Sequence, residues 1–263
     1  MINKIIEIAQ NAGHCIMDIY KKDFQVDFKK DASPLTIADQ LSHTCIHDEL
    51  SNLPTHFPIL SEEGAVIPYN ERSAWETFWI VDPLDGTKEF IKKNDEFTVN
   101  IALIHKGSPV LGVIYAPALD ILYYAEEKKG AYKQLNANDL HGQQPKRLYV
   151  DTQADRKKVV ISRSHLTEET RKYVSELEVY EGRMDYISIG SSLKFCLIAE
   201  GAAHCYPRLA PTMEWDTAAG QIIVEEAGGK VVNFSTLNPL TYNKEILINP
   251  SFLCTCNISS KSI

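Results

Sequence analysis

The sequence predicts an α/β protein in two tightly joined halves, and three observations predict it. The chain opens on an apolar pattern of helical period. Closely spaced β-rich segments with Gly, Pro and Asp between them fill 97–133. Beyond them, short apolar runs alternate with helical patterns. At 263 residues the chain is long enough for one large domain or two modest ones sharing an interface. The most polar stretch, 136–146, is the expected boundary. It leaves an N-terminal α+β half, 1–140, and a C-terminal α/β half, 141–263.

The first element is an amphipathic helix, with Ile2, Ile5, Ile6, Ala9, Ala12, Ile16 and Ile19 at helical spacing. An extended piece at 24–28 and a polar loop at 29–34 follow. Thr36 starts a second helix, with Ile37, Leu41, Cys45 and Leu50 expected on one side. Residues 57–60 and 78–81 read as strands ending in acidic turns. The runs 97–104, 110–115, 121–125 and 130–133 form an antiparallel meander. In the second half, strands are expected at 159–161, 184–189, 203–206 and 230–232, and helices at 167–177, 193–200 and 217–227.

Hydrophobic residues are 44% and charged residues 24%, which is ordinary globular composition and argues against disorder. The formal net charge of −8 argues against a nucleic acid polymer as partner. A small phosphorylated metabolite stays compatible, because divalent cations can hold it at an acidic site. Cys15, Cys45, Cys196, Cys205, Cys254 and Cys256 show no disulfide-framework spacing and no CxxC pair, so reduced thiols are expected. Glu7, Gln10, Asn11, His14 and Asp18 interrupt the apolar opening, so no export signal is read there. No apolar run is long enough to span a bilayer. These features predict a cytoplasmic protein, free or resting on the inner face of the membrane, with the oligomeric state open. His43 and His47 lie four apart on a helix, but Cys45 points to another face and no Glu follows His43, so zinc is not expected.

The chemistry concentrates in acidic segments. In WIVDPLDGT a buried strand delivers Asp82, Pro83 fixes the turn, and Asp85 returns three residues later. Carboxylates held this close repel unless positive charge lies between them, and hard cations such as Mg²⁺ want oxygen ligands of this kind. Gly86 and Thr87 then present N–H groups at a helix start, where a phosphate can dock. Taken alone, the segment also reads as an ordinary Asp-Pro turn. LSEEG is a second cluster at a strand end and, alone, reads as a solvated surface. In WDTAAG, Asp216 stands where a helix N-cap would be. Thr36 to Asp39 has the spacing of a capping box.

In their order along the chain, TIAD, LSEEG, WIVDPLDGT and WDTAAG resemble the lithium-sensitive Mg²⁺ phosphatases of the inositol monophosphatase superfamily. That superfamily includes inositol monophosphatases, fructose bisphosphatases and bisphosphate nucleotidases. The resemblance covers nearly the whole chain. DPLDGTKEF with FTVNIALI after it, SRSH and GSSLKFCLIAEG are similar to one branch, the CysQ-type 3'(2'),5'-bisphosphate nucleotidases. The loop KKDASPLT is similar too, with Leu35 where valine is more usual.

The resemblance implies a layered α-β-α-β-α sandwich of the inositol monophosphatase/fructose bisphosphatase type, with the site between the halves. It implies two or three Mg²⁺ ions. Glu62 would bind the first, and Asp82 would bridge the first and second. Leu84 would offer its carbonyl, and Asp85 and Asp216 would complete the second. Glu63 would be the lesser member of its pair. Thr87 and Asp39 would form the pair that orients and deprotonates the attacking water. Gly86, Thr87, His165, Arg208 and the turn Gly190, Ser191, Ser192 and Lys194 would contact the substrate. Apart from the resemblance, Lys194 reads as a solvated helix residue. The implied reaction is hydrolysis of adenosine 3',5'-bisphosphate to AMP and phosphate, with 3'-phosphoadenylyl sulfate as a second substrate, in sulfur metabolism. The alternatives are hydrolysis of inositol-1-phosphate or fructose-1,6-bisphosphate, and a non-catalytic metal or nucleotide sensor on the same fold.

Overall fold

The computed structural model describes residues 1–22, 26–28, 34–138, 144–154, 156–162 and 167–256. The chain begins with α1 (Ile2–Tyr20), the hairpin β1 (Val26–Phe28) and β2 (Pro34–Thr36), and α2 (Ile37–Ser51). Next come β3 (Ile59–Ser61), the short α3 (Tyr69–Arg72), β4 (Thr77–Asp85) and the short α4 (Thr87–Ile91). The meander is β5 (Thr98–His105), β6 (Ser108–Ala116), β7 (Ile121–Glu126), β8 (Gly130–Leu135) and β9 (Lys146–Arg147). The second half runs β10 (Lys158–Ser162), α5 (Glu168–Glu181), β11 (Asp185–Ile189), α6 (Leu193–Ala199) and β12 (Cys205–Arg208). A 3₁₀ turn (Glu214–Asp216), α7 (Ala218–Glu226), β13 (Lys230–Asn233) and β14 (Phe252–Thr255) complete it.

Among the described residues, one sheet has seven strands in sequential order from β3 to β9, and a second has five in the order β11-β10-β12-β14-β13. In the large sheet, β3 and β4 are parallel and every later pair is antiparallel. Strand β9 lies past the polar stretch, yet it pairs with β8 at the sheet edge.

Strand alternation builds the layers. Trp79, Val81, Val99, Ile101, Leu103, Val113 and Tyr115 turn one face of the large sheet to α1 and α2. Phe78, Ile80, Ala102, Ile104 and Ile114 turn the other face to α6 and α7. The same cluster takes in Val160, Tyr206, Val231, Phe252 and Cys254 from the inner face of the small sheet. Its outer face, with Val159, Cys205, Val232 and Leu253, is covered by Val174 and Leu177 of α5. The result is the α-β-α-β-α sandwich that the resemblance implies. Helix α7 crosses the large sheet at Gly112, where a Cβ would lie 2.5 Å from Ile222 Cγ2 and 2.8 Å from the Ala219 carbonyl.

The expected face of α2 is wrong. Its buried residues are Ala38, Asp39, Ser42, Ile46 and Leu50, while Ile37 and Leu41 are exposed. The helix is oriented by polar contacts with the β4 turn as well as by apolar burial. Ser42 Oγ donates to the Pro83 carbonyl at 2.7 Å. The cysteines are free thiols. No helix among the described residues is long and apolar enough to cross a membrane.

Candidate active site

The site lies outside the ends of β3 and β4. The Glu62 N–H donates to the Val81 carbonyl at 3.1 Å and prolongs the parallel pairing, which brings Glu62 beside Asp82. Asp82 pairs with Asn100 and Asp85 with Thr98, so three residue steps on β4 face two on β5. That extra residue is a bulge. In a regular strand, Asp82 and Asp85 would point to opposite faces; the bulge turns both into one cavity. Pro83 has no N–H to lose from the ladder there, and the Leu84 N–H is taken by Asp82 Oδ1 at 3.1 Å. Gly86, at φ +93°, then reverses the chain into α4.

Asp216 arrives from the far half on the 3₁₀ turn. Its Oδ2 accepts from the Met213 N–H at 2.8 Å, so it caps that turn and not α7, a correction to the N-cap reading. The turn is anchored by Glu214, wholly buried, whose carboxylate accepts from the Asn243 and Lys244 N–H groups and from Lys244 Nζ. One carboxylate oxygen each from Glu62, Asp82 and Asp216 falls within 4.8 Å of the others, a spacing that could hold a metal ion. Burial, then Glu62, Asp85, Asp216 and Asp39, push the Asp82 carboxyl well above the usual range. Burial, then Asp85 and Glu62, do the same to Asp216. Burial also raises Asp85, but Lys194 and hydrogen bonds from Ser192 and Asn100 pull it back.

Asp39, buried in the first turn of α2, serves two partners. Its Oδ2 accepts from the Thr36 N–H at 2.8 Å and from Thr36 Oγ at 2.7 Å, which is the capping-box role. Its Oδ1 accepts from Thr87 Oγ at 3.1 Å. One carboxylate therefore makes both the capping contacts and the hydrogen bond to Thr87.

The opposite wall is basic. Lys194 is only 7% exposed, which overturns the solvated-helix reading. Burial depresses its ammonium to about 8, against the pull of Asp85. Its Nζ donates to the Ser191 carbonyl and lies 5.7 Å from the Tyr206 ring centroid. Ser191 itself sits at φ +46°, uncommon for a residue with a Cβ, and shapes the turn that presents Lys194. Arg208 donates through Nη2 to the Pro211 carbonyl at 3.1 Å, while its Nε is buried without a hydrogen-bond partner among the described residues.

The cavity between the walls measures about 460 Å³, within the usual size for a small-molecule site. Glu62, Asp82, Leu84, Asp85, Gly86, Thr87, Gly190, Ser191, Ser192, Lys194, Arg208 and Asp216 all line it. Asp39 reaches it through Thr87. His165 and the loop residues 29–33 lie outside the described residues. The Gly190 N–H is already bonded to Glu96 Oε2 at 2.8 Å. Sequence reasoning missed Asn100, Glu89, Tyr206 and Trp215. Asn100 donates to Ser192 and Asp85, and the other three line the cavity. Asn100 and Glu89 stand inside the segments FTVNIALI and DPLDGTKEF. Tyr206 carried no local signal beyond its strand.

Known proteins are similar to this chain over nearly its whole length. The 3'(2'),5'-bisphosphate nucleotidase CysQ of Salmonella typhimurium is 45% identical over 264 residues, spanning 97% of this chain and 99% of its own. The crystal structure of CysQ from Bacteroides thetaiotaomicron superposes with a TM-score of 0.85 at 46% identity, covering 97% and 98% of the two chains. That of the extragenic suppressor protein SuhB from Bartonella henselae gives 0.77 at 28% identity, covering 96% and 92%. The sequence model of the inositol monophosphatase family matches residues 1–257, which include every described element and both walls of the cavity. With fold, sequence and acidic cluster in agreement, this chain belongs to the inositol monophosphatase family.

Proposed function

We propose that this chain is a Mg²⁺-dependent 3'(2'),5'-bisphosphate nucleotidase that hydrolyses adenosine 3',5'-bisphosphate to AMP and phosphate. In this reading 3'-phosphoadenylyl sulfate is a second substrate, and the enzyme serves sulfur metabolism. The observation that carries the reading is one cavity lined both by the carboxylates Glu62, Asp82, Asp85 and Asp216 and by Lys194 and Arg208. A substrate with two phosphates matches it, one bound through cations and the other directly. The high identity to nucleotidases of the CysQ type supports the choice of substrate.

The acidic wall suits hard divalent cations. Oxygens of Glu62, Asp82 and Asp216 converge, and burial followed by mutual repulsion raises the Asp82 and Asp216 carboxyls, a crowding that a cation would relieve. Glu62, Asp82, the Leu84 carbonyl, Asp85 and Asp216 would hold two or three Mg²⁺ ions. Bound there, the ions would neutralise charge on the phosphoryl group and the leaving oxygen. Thr87 Oγ gives its proton to Asp39 Oδ1, so its lone pairs are free to accept from the attacking water. The water oxygen bonds to phosphorus as the ester P–O bond breaks, and the water proton passes through Thr87 to Asp39. The leaving alkoxide takes its proton from solvent. Gly86 and Thr87 offer N–H groups to the scissile phosphate. Lys194 and Arg208 hold the second phosphate, with Ser191 beside them and His165 added by resemblance. The half 1–140 thus supplies most carboxylates, and the half 141–263 supplies Asp216 and the substrate turn.

A phosphate-release screen with Mg²⁺ tests this reading. Adenosine 3',5'-bisphosphate should give a higher kcat/KM than inositol-1-phosphate or fructose-1,6-bisphosphate. A preference for either of those would assign the chain to that substrate instead, and release from none would make it a non-catalytic sensor.

A further inference from the structure

We infer that Asn100 is a positioning residue which, acting through Ser192, fixes the Asp85 carboxylate for cation binding and ties the 190–194 turn to the acidic wall. The inference rests on the proposed assignment of Asp85 as a metal ligand. Three distant pieces of chain meet here. Asn100 lies on the interior strand β5, directly across from Asp82. Ser192 immediately precedes α6, and Asp85 ends β4. Asn100 Nδ2 donates to Ser192 Oγ at 2.7 Å, and Ser192 Oγ lies 2.6 Å from Asp85 Oδ2. Asn100 Nδ2 also lies 3.4 Å from the same Asp85 oxygen. Asn100 and Ser192 are both about fully buried, at 2% and 1% exposure, so no bulk water competes.

The direction of the relay follows from donor chemistry. A carboxylate beside Asn100 accepts only, so the amide must present its NH₂ end. Ser192 has one proton and two acceptors within reach: Asp85 Oδ2 and the Asp216 carbonyl, 3.1 Å away. Asn100 occupies a lone pair of the hydroxyl and leaves the proton for the nearer, charged acceptor. Asp85 Oδ2 is thereby bound, and Oδ1 remains for a cation. A serine alone could turn toward Asp216. The hydroxyl is thereby spent within the protein. Hydrogen bonds behind a metal-binding carboxylate orient it, and their removal typically weakens metal binding roughly ten- to a hundredfold.

The test is Mn²⁺ binding, followed by electron paramagnetic resonance, together with the melting temperature of the metal-free protein. Ser192→Ala and Asn100→Leu should each weaken Mn²⁺ binding roughly tenfold or more. The double variant should bind no worse than Ser192→Ala, because Asn100 acts through the hydroxyl. Ser192→Thr, which keeps the hydroxyl, should restore binding and carries the test if Asn100→Leu fails to fold. Unchanged affinity in Ser192→Ala would overturn the relay, as would single losses that multiply in the double variant. A lower melting temperature with intact Mn²⁺ affinity would also overturn it, by making the role structural. Asp82→Asn separates this inference from the metal assignment beneath it. If that variant loses Mn²⁺ binding and Ser192→Ala does not, only the relay falls. If it binds as wild type does, the metal assignment falls and takes the relay with it.

Discussion

The two walls of the cavity are opposite in charge, and burial shifts each of them against its charged form. On the acidic wall, burial and mutual repulsion raise Asp82 and Asp216. On the basic wall, burial lowers Lys194 to about 8. Simple ion pairing across the gap would have moved both walls the other way. Asp85 is partly relieved by Lys194, Ser192 and Asn100, and Asp216 by the Met213 N–H and Arg208. Buried charges of both signs in one cavity fit the proposed ligand pair, a cation with a phosphate. Strain of this kind is what functional sites retain at the expense of stability.

The largest effect should come from removing the most crowded carboxylate. Asp82→Asn should nearly abolish turnover at saturating Mg²⁺ while leaving the fold intact. The metal-free variant should melt higher than wild type, by roughly 2–4 °C for each kcal/mol of repulsion removed. The sign follows from linkage. Asp82 has a folded pKa raised above its unfolded value, so ionisation costs stability as pH rises through the folded pKa. The advantage of the variant should therefore grow with pH and shrink in acid. Normal turnover in Asp82→Asn would remove the acidic wall from the chemistry.

Next in size is the pair Thr87 and Asp39, proposed to orient the attacking water. Thr87→Ala and Asp39→Asn should each lower kcat by about a hundred- to ten-thousandfold, the usual worth of general-base assistance. Mn²⁺ affinity should change much less. Kinetics on the double variant should show a loss close to either single one, since the groups act as a unit. Losses that multiply would separate them.

Lithium probes the acidic wall more gently. Li⁺ is close to Mg²⁺ in size with half its charge, so it should inhibit, and rising Mg²⁺ should relieve it. Initial rates at limiting Mg²⁺ with millimolar-scale Li⁺ measure this, and insensitivity would count against the proposed cation site.

How far the sequence could be read differs between the walls as well. The acidic wall was legible because its carboxylates follow short local patterns: a strand, Asp82, a proline turn and Asp85. The bulge that turns both side chains the same way required the partner strand β5. The layers were legible from period: α1 at helical spacing, the meander by alternation. Helix α2 was misread because Asp39 and Ser42 face inward to polar partners, an arrangement that an apolar pattern cannot show. The burial of Lys194 against Tyr206 was invisible for a related reason, since both lie in elements whose packing is set by the opposite sheet. The link from Asn100 to Ser192 spans 92 residues and has no local trace at all.

The central claim is that the basic wall exists for a second phosphate. The direct measurement is kcat/KM for adenosine 3',5'-bisphosphate and for a simple monophosphate ester, in wild type and in Lys194→Ala. A charge-assisted hydrogen bond is worth about 1.5–3 kcal/mol, so the bisphosphate should lose roughly ten- to a hundredfold while the monophosphate barely changes. Equal losses on both substrates, or no loss on either, would contradict the account.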